Sequence, residues 1–186
     1  MTEIALRDAT AADIPALHRL IQSAYRGEAS RAGWTTEADL LDGQRTDPDD
    51  LADILADPKQ ALLTAWRADD LVGCILIADQ GEGTGYFGML SIRPTLQGGG
   101  LGRRLVEAAH AALADRFAAR RVRISVFPQR ETLIAWYERL GYRRTGDTLP
   151  FPYGNPRYGL PLRDDLHFVV MERELGCAEW KLSPPA

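Results

Sequence analysis

One segment constrains the fold of this chain more than any other: a strand-like run over residues 86–93 leads through Gly98, Gly99 and Gly100 into a helical pattern. Glycines between a strand and a helix let backbone N–H groups converge without side chains in the way. The N-terminus of the helix behind them adds about half a positive charge. The segment therefore predicts a binding site for a phosphate or pyrophosphate.

The other sequence patterns predict an α+β (mixed α/β) domain. Apolar residues recur at helical spacing over residues 12–25, 48–56, 100–117 and 131–140, and a shorter helix is predicted over residues 36–41. Strands are predicted over residues 3–8, 61–67, 71–78, 86–93, 122–126, 142–146 and 166–173, with a long irregular loop over residues 148–164. This order predicts a mixed sheet with helices on both faces.

Composition excludes several classes of protein. The length of 186 residues predicts one domain. The net charge of −4 disfavours nucleic acid as a partner. Two cysteines, Cys74 in an apolar run and Cys177 near the C-terminus, indicate neither a disulfide framework nor a metal cluster. Because no signal region and no membrane-spanning run is evident, we expect a cytoplasmic protein without a membrane partner.

Three known phosphate-binding patterns compete for the glycine segment. A P-loop requires Lys-Ser/Thr after its last glycine, but Arg103 and Arg104 follow Gly102 here. A Rossmann fingerprint requires a third glycine at the position of Arg103 and an early βαβ unit, whereas three strands precede this segment. The third pattern, Gln/Arg-x-x-Gly-x-Gly/Ala, is filled by Gln97, Gly100 and Gly102.

Together with the preceding Leu-x-Ile-x-Pro over residues 90–94, this pattern resembles the GNAT superfamily of acetyl-CoA-dependent N-acetyltransferases. Residues 133–142, Leu-Ile-Ala-Trp-Tyr-Glu-Arg-Leu-Gly-Tyr, look like a second segment of that family, and the two are separated by one helix and one strand. The resemblance covers roughly residues 3–173. It implies a GNAT-like fold with a mostly antiparallel sheet of six to seven strands, in a single domain over residues 1–175 with a C-terminal tail over residues 176–186.

The resemblance also implies acetyl-CoA as co-substrate and no metal. In the family, the pyrophosphate lies on the amides of the glycine loop, here residues 97–102, and the pantetheine arm pairs with the strand edge at residues 89–92. Splaying of that strand from residues 122–127 opens the cleft. The cofactor-binding residues implied are Met89, Leu90, Ser91, Ile92, Gln97, Gly98, Gly99, Gly100, Leu101, Gly102, Arg103 and Arg130.

Arg130 marks a departure from the family pattern, which often has Asn at this position, seven residues before a tyrosine. Either Arg130 contacts a CoA phosphate instead, or Glu131 caps the N-terminus of the helix. The tyrosine matches Tyr137, and the resemblance implies that Tyr137 is the acid that protonates the departing thiolate. A backbone N–H near Leu90 is suited to stabilise the oxyanion.

The general base is not identified by any motif. The candidate residues are Glu28, Glu37, Glu82, Glu131 and, among the histidines His18, His110 and His167, chiefly His167. Five aromatic side chains lie in the two segments expected to flank the acceptor, namely Tyr25, Trp34, Phe151, Tyr153 and Tyr158. They either surround the substrate or complete the edge of the core, and from this set and the carboxylates we select Tyr25, Glu28, Trp34 and Tyr153 as substrate-binding residues.

The sequence thus predicts an N-acetyltransferase that moves the acetyl group of acetyl-CoA to a primary amine by direct attack in a ternary complex. A small-molecule amine is the expected acceptor and partner. A protein or peptide amine is the first alternative, and a non-catalytic module that senses acyl-CoA is the second. A homodimer formed through the last strand and the tail to Trp180 is a further expectation.

Overall fold

The structure is a computed structural model that describes residues 3–176. The predicted tail contacts of Trp180, and Cys177, lie outside the described residues. The elements are β1 (Ile4–Asp8), α1 (Ile14–Tyr25), α2 (Gly27–Ser30), β2 (Leu41–Asp42), α3 (Pro48–Ala56), β3 (Gln60–Arg67), β4 (Asp70–Asp79), β5 (Thr84–Ile92), α4 (Leu101–Phe117), β6 (Arg121–Val126), α5 (Glu131–Arg139), β7 (Arg143–Pro150), β8 (Leu160–Pro161) and β9 (His167–Glu174).

Seven strands form one mixed sheet in the order β1-β3-β4-β5-β6-β9-β7, and β2 pairs with β8 separately. All neighbours in the large sheet are antiparallel except β5 and β6. This architecture confirms the predicted α+β fold with a mostly antiparallel sheet of up to seven strands.

The sheet is covered by helices on both faces, because side chains of each central strand alternate between two cores. On one face, Leu105 of α4 and Ile134 of α5 pack with Leu63 of β3. On the other, Leu17 of α1 and Leu51 of α3 pack with residues that include Leu62 and Cys74. Cys74 is fully buried, as its apolar surroundings in the sequence predict.

The cleft opens where β5 and β6 separate. These parallel strands pair only from Thr84 with Arg121 to Tyr86 with Arg123, and the remainder of β5 has no partner on that side. Since unpaired strand edges offer free backbone donors and acceptors, the open part of β5 is available to a ligand. The predicted splaying of the two strands is confirmed.

The helix predicted over residues 36–41 is wrong. Residues 36–41 form a single turn, in which Leu40 and Leu41 donate backbone hydrogen bonds to Glu37, and Leu41 then pairs in β2. The helix does not propagate because Leu40 and Leu41 are drawn into a small core with Phe127 and Phe151.

The loop over residues 26–34 contains α2, and the loop over residues 148–164 contains the end of β7, a turn at Pro156–Tyr158 and β8. Residues 11–13 form a 3-10 turn, so the predicted first helix begins at Ile14. A capping box at Thr10 and Asp13 is present in that turn, where the Thr10 amide donates to the Asp13 carboxylate at 2.7 Å.

Candidate active site

The glycine loop lines a cavity of about 410 Å³ between the end of β5 and the N-termini of α4 and α5. Gly98 and Gly100 have φ angles of 82° and 84°, and a Cβ at either position would meet no atom within 4 Å. The loop therefore needs glycine for its left-handed backbone, not for lack of space. We call this space the glycine-loop cavity, lined by Leu90, Ile92, Gln97, Gly98, Gly100, Gly102, Arg103, Arg130, Leu133, Trp136, Tyr137, Arg139, Tyr25, Trp34 and Thr35.

Eight of the twelve predicted cofactor-binding residues line this cavity. The other four are Met89, Ser91, Gly99 and Leu101. Leu101 and Ser91 are buried, and the Ser91 hydroxyl donates to the Met89 carbonyl at 3.0 Å. Any contact from these two to a ligand in the cavity must therefore come from backbone atoms.

A segment from the other half of the chain covers the glycine-loop cavity. The Trp34 amide donates to Gln97 Oε1 at 3.0 Å, and the Trp34 and Trp136 ring centroids lie 6.2 Å apart. Gly33 permits this contact, because a Cβ there would collide with the Gln97 side chain. Trp34 lies over the glycine-loop cavity because Gln97 holds its backbone there, and its contact with the acceptor stays a prediction.

A β-bulge interrupts β5 where it borders the cavity. The β4–β5 register shifts between Cys74 and Leu76, and Met89 adopts a left-handed φ of 49°. For a residue with a Cβ this backbone costs about 1–2 kcal/mol. The bulge aims the Leu90 carbonyl at the Tyr25 hydroxyl, which donates to it at 3.0 Å. Strain of this kind concentrates at functional sites.

A second cavity of about 380 Å³ continues from the bulge to the opposite side of the splayed strands. We call it the inner cavity. Its apolar wall contains Phe127, Phe151 and Phe168, with the Phe127 and Phe168 rings stacked at 4.4 Å. Its volume lies in the range of small-molecule sites, about 300–1,000 Å³.

Tyr137 lies where the two cavities meet. It lines both of them, as do Tyr25, Leu90, Arg130 and Leu133. The Tyr137 side chain packs against Trp136 and Phe87, and within residues 3–176 its hydroxyl has no hydrogen-bond partner. Burial raises the pKa of Tyr137 far above its ordinary value, so its phenol keeps its proton at physiological pH. Tyr137 thus presents an unengaged O–H at the junction.

A buried ion cluster forms the polar wall of the inner cavity. Glu37 Oε2 accepts from Arg26 and Glu37 Oε1 accepts from Arg130, both at 2.7 Å. Arg130 also donates to Thr35 Oγ1 at 2.8 Å. The Arg130 guanidinium is thus directed to Glu37 and Thr35, while Arg130 also lines the glycine-loop cavity, and its contact with a CoA phosphate stays a prediction.

Glu37 is the one predicted general-base residue that lines a cavity, yet its environment makes it a weak base. Burial acts to raise its pKa, but the positive charges of Arg130, Arg26 and Arg45 outweigh it and hold the pKa below its usual range. Both carboxylate oxygens already accept hydrogen bonds from arginine. Glu37 therefore remains ionised and serves to balance charge.

Several other predicted residues fall outside both cavities. The Glu28 side chain is 92% exposed, because α2 turns it to solvent, and its Oε2 lies 3.4 Å from Arg31 Nε. Tyr153 also lines neither cavity: its hydroxyl accepts from the Leu166 amide at 2.6 Å and ties down the loop. Glu82, Glu131 and the three histidines also line neither cavity. Phe151 and Tyr158 do line the inner cavity.

Arg45 is a cleft residue that sequence reasoning missed. Its guanidinium carbon lies 5.1 Å from the centroid of the Tyr25 ring, and it lines the inner cavity. It stands in a polar stretch before Asp47-Pro48, where no spacing or motif distinguishes it from a solvated arginine. Only the fold of residues 41–47 against α1 brings it to the cleft.

The described part of the chain offers no cluster of three or more His, Cys, Asp or Glu side chains arranged for a metal ion. None of the helices within residues 3–176 is both long and apolar enough to cross a membrane.

Comparisons with known proteins agree with this geometry. Residues 15–142 match the profile of the acetyltransferase (GNAT) family. The chain is 33% identical over 155 residues to an "IAA acetyltransferase" of Azospirillum brasilense, covering 82% of this chain and 87% of that protein.

Solved structures share the fold at lower identity. A ribosomal-protein-alanine N-acetyltransferase from Brucella melitensis superposes with a TM-score of 0.68 at 19% identity, covering 92% of this chain and 99% of that one. A putative acetyltransferase from Salmonella typhimurium, solved with its cofactor acetyl-CoA, superposes with a TM-score of 0.66 at 20% identity and covers 98% of both chains. The chain belongs to the GNAT family of acetyltransferases and is therefore an acyltransferase.

Proposed function

We propose that this protein transfers the acetyl group of acetyl-CoA to a primary amine of a small molecule, with both substrates bound in the cleft at once. The observation that carries the proposal is the position of Tyr137, whose unengaged hydroxyl stands where the glycine-loop cavity meets the inner cavity. A donor in the first cavity and an acceptor in the second would meet at this residue.

The residues of the glycine-loop cavity fit the donor. Gly98 and Gly100 hold a left-handed backbone that leaves their amides uncovered, and α4 begins at Leu101 with its N-terminus at the loop. Amides and a helix N-terminus together suit the pyrophosphate of CoA. Arg103, 68% exposed in its side chain and bonded to Glu107, is within the same lining and adds positive charge. Open strand edge on β5 suits the amide groups of the pantetheine arm.

Acetyl-CoA supplies the acetyl group as a thioester, whose C–S bond breaks as the amine nitrogen bonds to the acetyl carbon. Burial keeps the Tyr137 phenol protonated before the reaction, and its Oη delivers this proton to the departing sulfur, so that CoA leaves as the thiol. The proton that the acetylated nitrogen then loses restores the Tyr137 phenol and leaves a neutral amide. The bulge at Met89 and Leu90 places backbone groups of β5 beside the same point. Backbone N–H groups there are suited to the carbonyl oxygen that gains charge.

The acceptor reaches Tyr137 as a neutral amine. Glu37 is a weak base, and within residues 3–176 no histidine lines either cavity, so loss of the ammonium proton to water is the route that the side chains leave open. The volume of about 380 Å³ favours a small molecule over a protein segment.

Two measurements on the purified full chain test the proposal. Isothermal titration should detect acetyl-CoA binding, and release of free CoA thiol across a panel of primary amines should reveal turnover. Absence of binding at millimolar acetyl-CoA would overturn the proposal. Binding without CoA release from any amine would instead support a sensor of acyl-CoA, and turnover confined to peptide amines would support the protein-acceptor alternative.

A further inference from the structure

The inner cavity carries more positive charge than its own carboxylate balances. Arg26, Arg45 and Arg130 line it, and Glu37 is the one acidic residue of its lining. Three guanidinium groups against one carboxylate leave a surplus of two positive charges. This surplus contrasts with the net charge of −4 for the whole chain, so the cavity is locally opposite in sign to the protein.

Hydrogen bonding within the cluster is also incomplete. Arg26 Nε and Arg130 Nε are buried and have no partner among the described residues. Buried donors of charged groups are costly to leave unpaired, because they lose their water without replacement. The Arg26 side chain is 1% exposed and the Arg130 side chain 12% exposed, so bulk water does not compensate them.

Arg45 is the arginine of this set with an uncommitted head group. Arg26 and Arg130 each bond to Glu37, whereas the Arg45 guanidinium forms no hydrogen bond or ion pair with any side chain in residues 3–176. Its guanidinium carbon lies 5.1 Å from the centroid of the Tyr25 ring. Glu37 and Asp50 are carboxylates that act on its pKa, and Asp50 already accepts from Thr46 Oγ1 at 2.7 Å.

The position of Arg45 relates it to the reaction site. The Tyr25 hydroxyl bonds to the Leu90 carbonyl at the bulge, and Arg45 packs on the ring of the same Tyr25. Tyr25 therefore connects the Arg45 guanidinium to the bulge, and Tyr25 lines both cavities where they meet. The wall of Phe127, Phe151 and Phe168 lines the same cavity as Arg45.

We infer that the acceptor is an amine that also carries an anionic group close to its nitrogen, as α-amino acids with apolar side chains do, and that Arg45 pairs with this anion. The guanidinium offers two parallel N–H donors to a carboxylate. The phenyl wall takes the apolar side chain, and the amine points to Tyr137. The inference rests on the proposed function and names the substrate class of the same site.

The test compares acceptors that differ in the acid group alone. Phenylalanine is compared with phenethylamine, and leucine with isoamylamine, by CoA release at saturating acetyl-CoA over a pH range that covers both amine pKa values. The phosphonate analogue of phenylalanine distinguishes a carboxylate site from a general anion site. We expect kcat/KM, referred to the neutral amine, to be about 10- to 100-fold higher for the acids, as a charged hydrogen bond predicts.

The variants Arg45→Ala and Arg45→Lys assign that preference to one residue. In Arg45→Ala the ratio of acid to amine kcat/KM should fall to about one, and Arg45→Lys should retain part of it as a point charge. Arg143→Ala is the matched control, because Arg143 is exposed on β7 and lines neither cavity. Acetyl-CoA affinity, measured by titration in parallel, should be unchanged in all three, since Arg45 lies outside the glycine-loop cavity.

Other results would overturn the inference. Equal use of acid and amine by the wild type would do so, as would a preference that survives Arg45→Ala or a preference for diamines. If acetyl-CoA binds but no acceptor is turned over, binding of phenylalanine to the CoA complex is measured, and absence of binding overturns the inference too. Failure of the proposed function is distinguished by a different result, the absence of acetyl-CoA binding.

Discussion

The two cavities of the cleft differ in how far apart along the sequence their lining residues lie. The glycine-loop cavity is built chiefly from β5, the loop and the start of α4, which are contiguous from Leu90 to Arg103, and from α5. The inner cavity draws Glu37 and Arg45 from one region and Phe127, Phe151 and Phe168 from another more than 80 residues away. The glycine loop is thus local structure, although Tyr25, Trp34 and Thr35 from the other half of the chain complete its cavity, whereas the inner cavity is assembled throughout by tertiary structure.

The difference extends to the chemistry of the two sides. The glycine-loop cavity presents backbone amides and a helix terminus, which any sequence with the right glycines can provide. The inner cavity presents buried charges whose mutual distances depend on several loops. We therefore expect substitutions on the donor side to change cofactor affinity in small steps, and those on the acceptor side to affect folding and acceptor choice together.

The largest expected effect is that of Glu37→Gln. Removal of this carboxylate leaves the buried Arg26 and Arg130 without a counter-charge, so the free energy of unfolding should fall by about 3–5 kcal/mol. Glu28→Gln is the same chemical change nearby, at a side chain that is 92% exposed, and should cost less than about 0.5 kcal/mol. Urea unfolding measures both, and equal losses would mean that the ion cluster does not organise the acceptor side.

The next largest effect belongs to the junction. Tyr137→Phe should lower kcat by about 100-fold or more, because a positioned general acid contributes about 10²–10⁴ to the rate. Acetyl-CoA affinity should change little, because in residues 3–176 the hydroxyl has no partner to lose.

Tyr142→Phe is the control for this variant, since Tyr142 is buried nearby, bonds to His110 at 2.6 Å and lines neither cavity. Turnover at saturating substrates provides the comparison. A Tyr137→Phe protein with kcat close to that of Tyr142→Phe would remove Tyr137 from the chemistry.

A donor-side substitution should have a smaller and more selective effect. Gly100→Ala places a Cβ on a backbone with φ of 84°, which shifts the loop amides, and should weaken acetyl-CoA binding about tenfold, or about 1.4 kcal/mol. Gly146→Ala meets the same conditions, with φ of 91° and open space, but lies on β7 outside the cleft. Both variants should lose similar stability, and titration should show weaker acetyl-CoA binding in Gly100→Ala alone.

The smallest expected effect is a flat region of the pH profile. Burial raises the pKa of Tyr25 to about 12 and that of Tyr137 further, so the protonated phenol needed for catalysis is lost only above these values. Activity should rise with pH as the acceptor amine loses its proton, and then show no decline up to about pH 10. A descending limb between pH 7 and 9, with the protein still folded by circular dichroism, would assign the acid role to another group.

Local sequence predicted the parts of the molecule that depend on neighbouring residues. The strand, the glycine loop and the helix from Leu101 follow the predicted pattern, and so does α5 with Tyr137. The helix predicted over residues 36–41 does not form, because residues distant in the sequence decide the structure of this segment. The contacts of Leu40 and Leu41 with Phe127 and Phe151, distant in sequence, outweighed the local preference for a helix.

The acceptor side shows why single residues were harder to place. Arg130 is predicted at a phosphate, and in the structure it bonds Glu37, a residue 93 positions away along the chain. Trp34 is predicted at the acceptor, and in the structure it lies beside Trp136. Each side chain had a plausible chemistry, but its partner was decided by how two distant loops fold against the sheet.

The sequence by itself determined the family, the fold and the position of the donor loop, because a left-handed glycine backbone and helical periodicity are properties of a few consecutive residues. The tertiary structure alone decided that Arg45 is an uncommitted cation in the cleft, that Glu37 is a buried counter-charge and that Tyr137 stands between two cavities. Charge balance and burial depend on contacts between residues that are distant in the sequence, and a local sequence pattern does not predict those contacts.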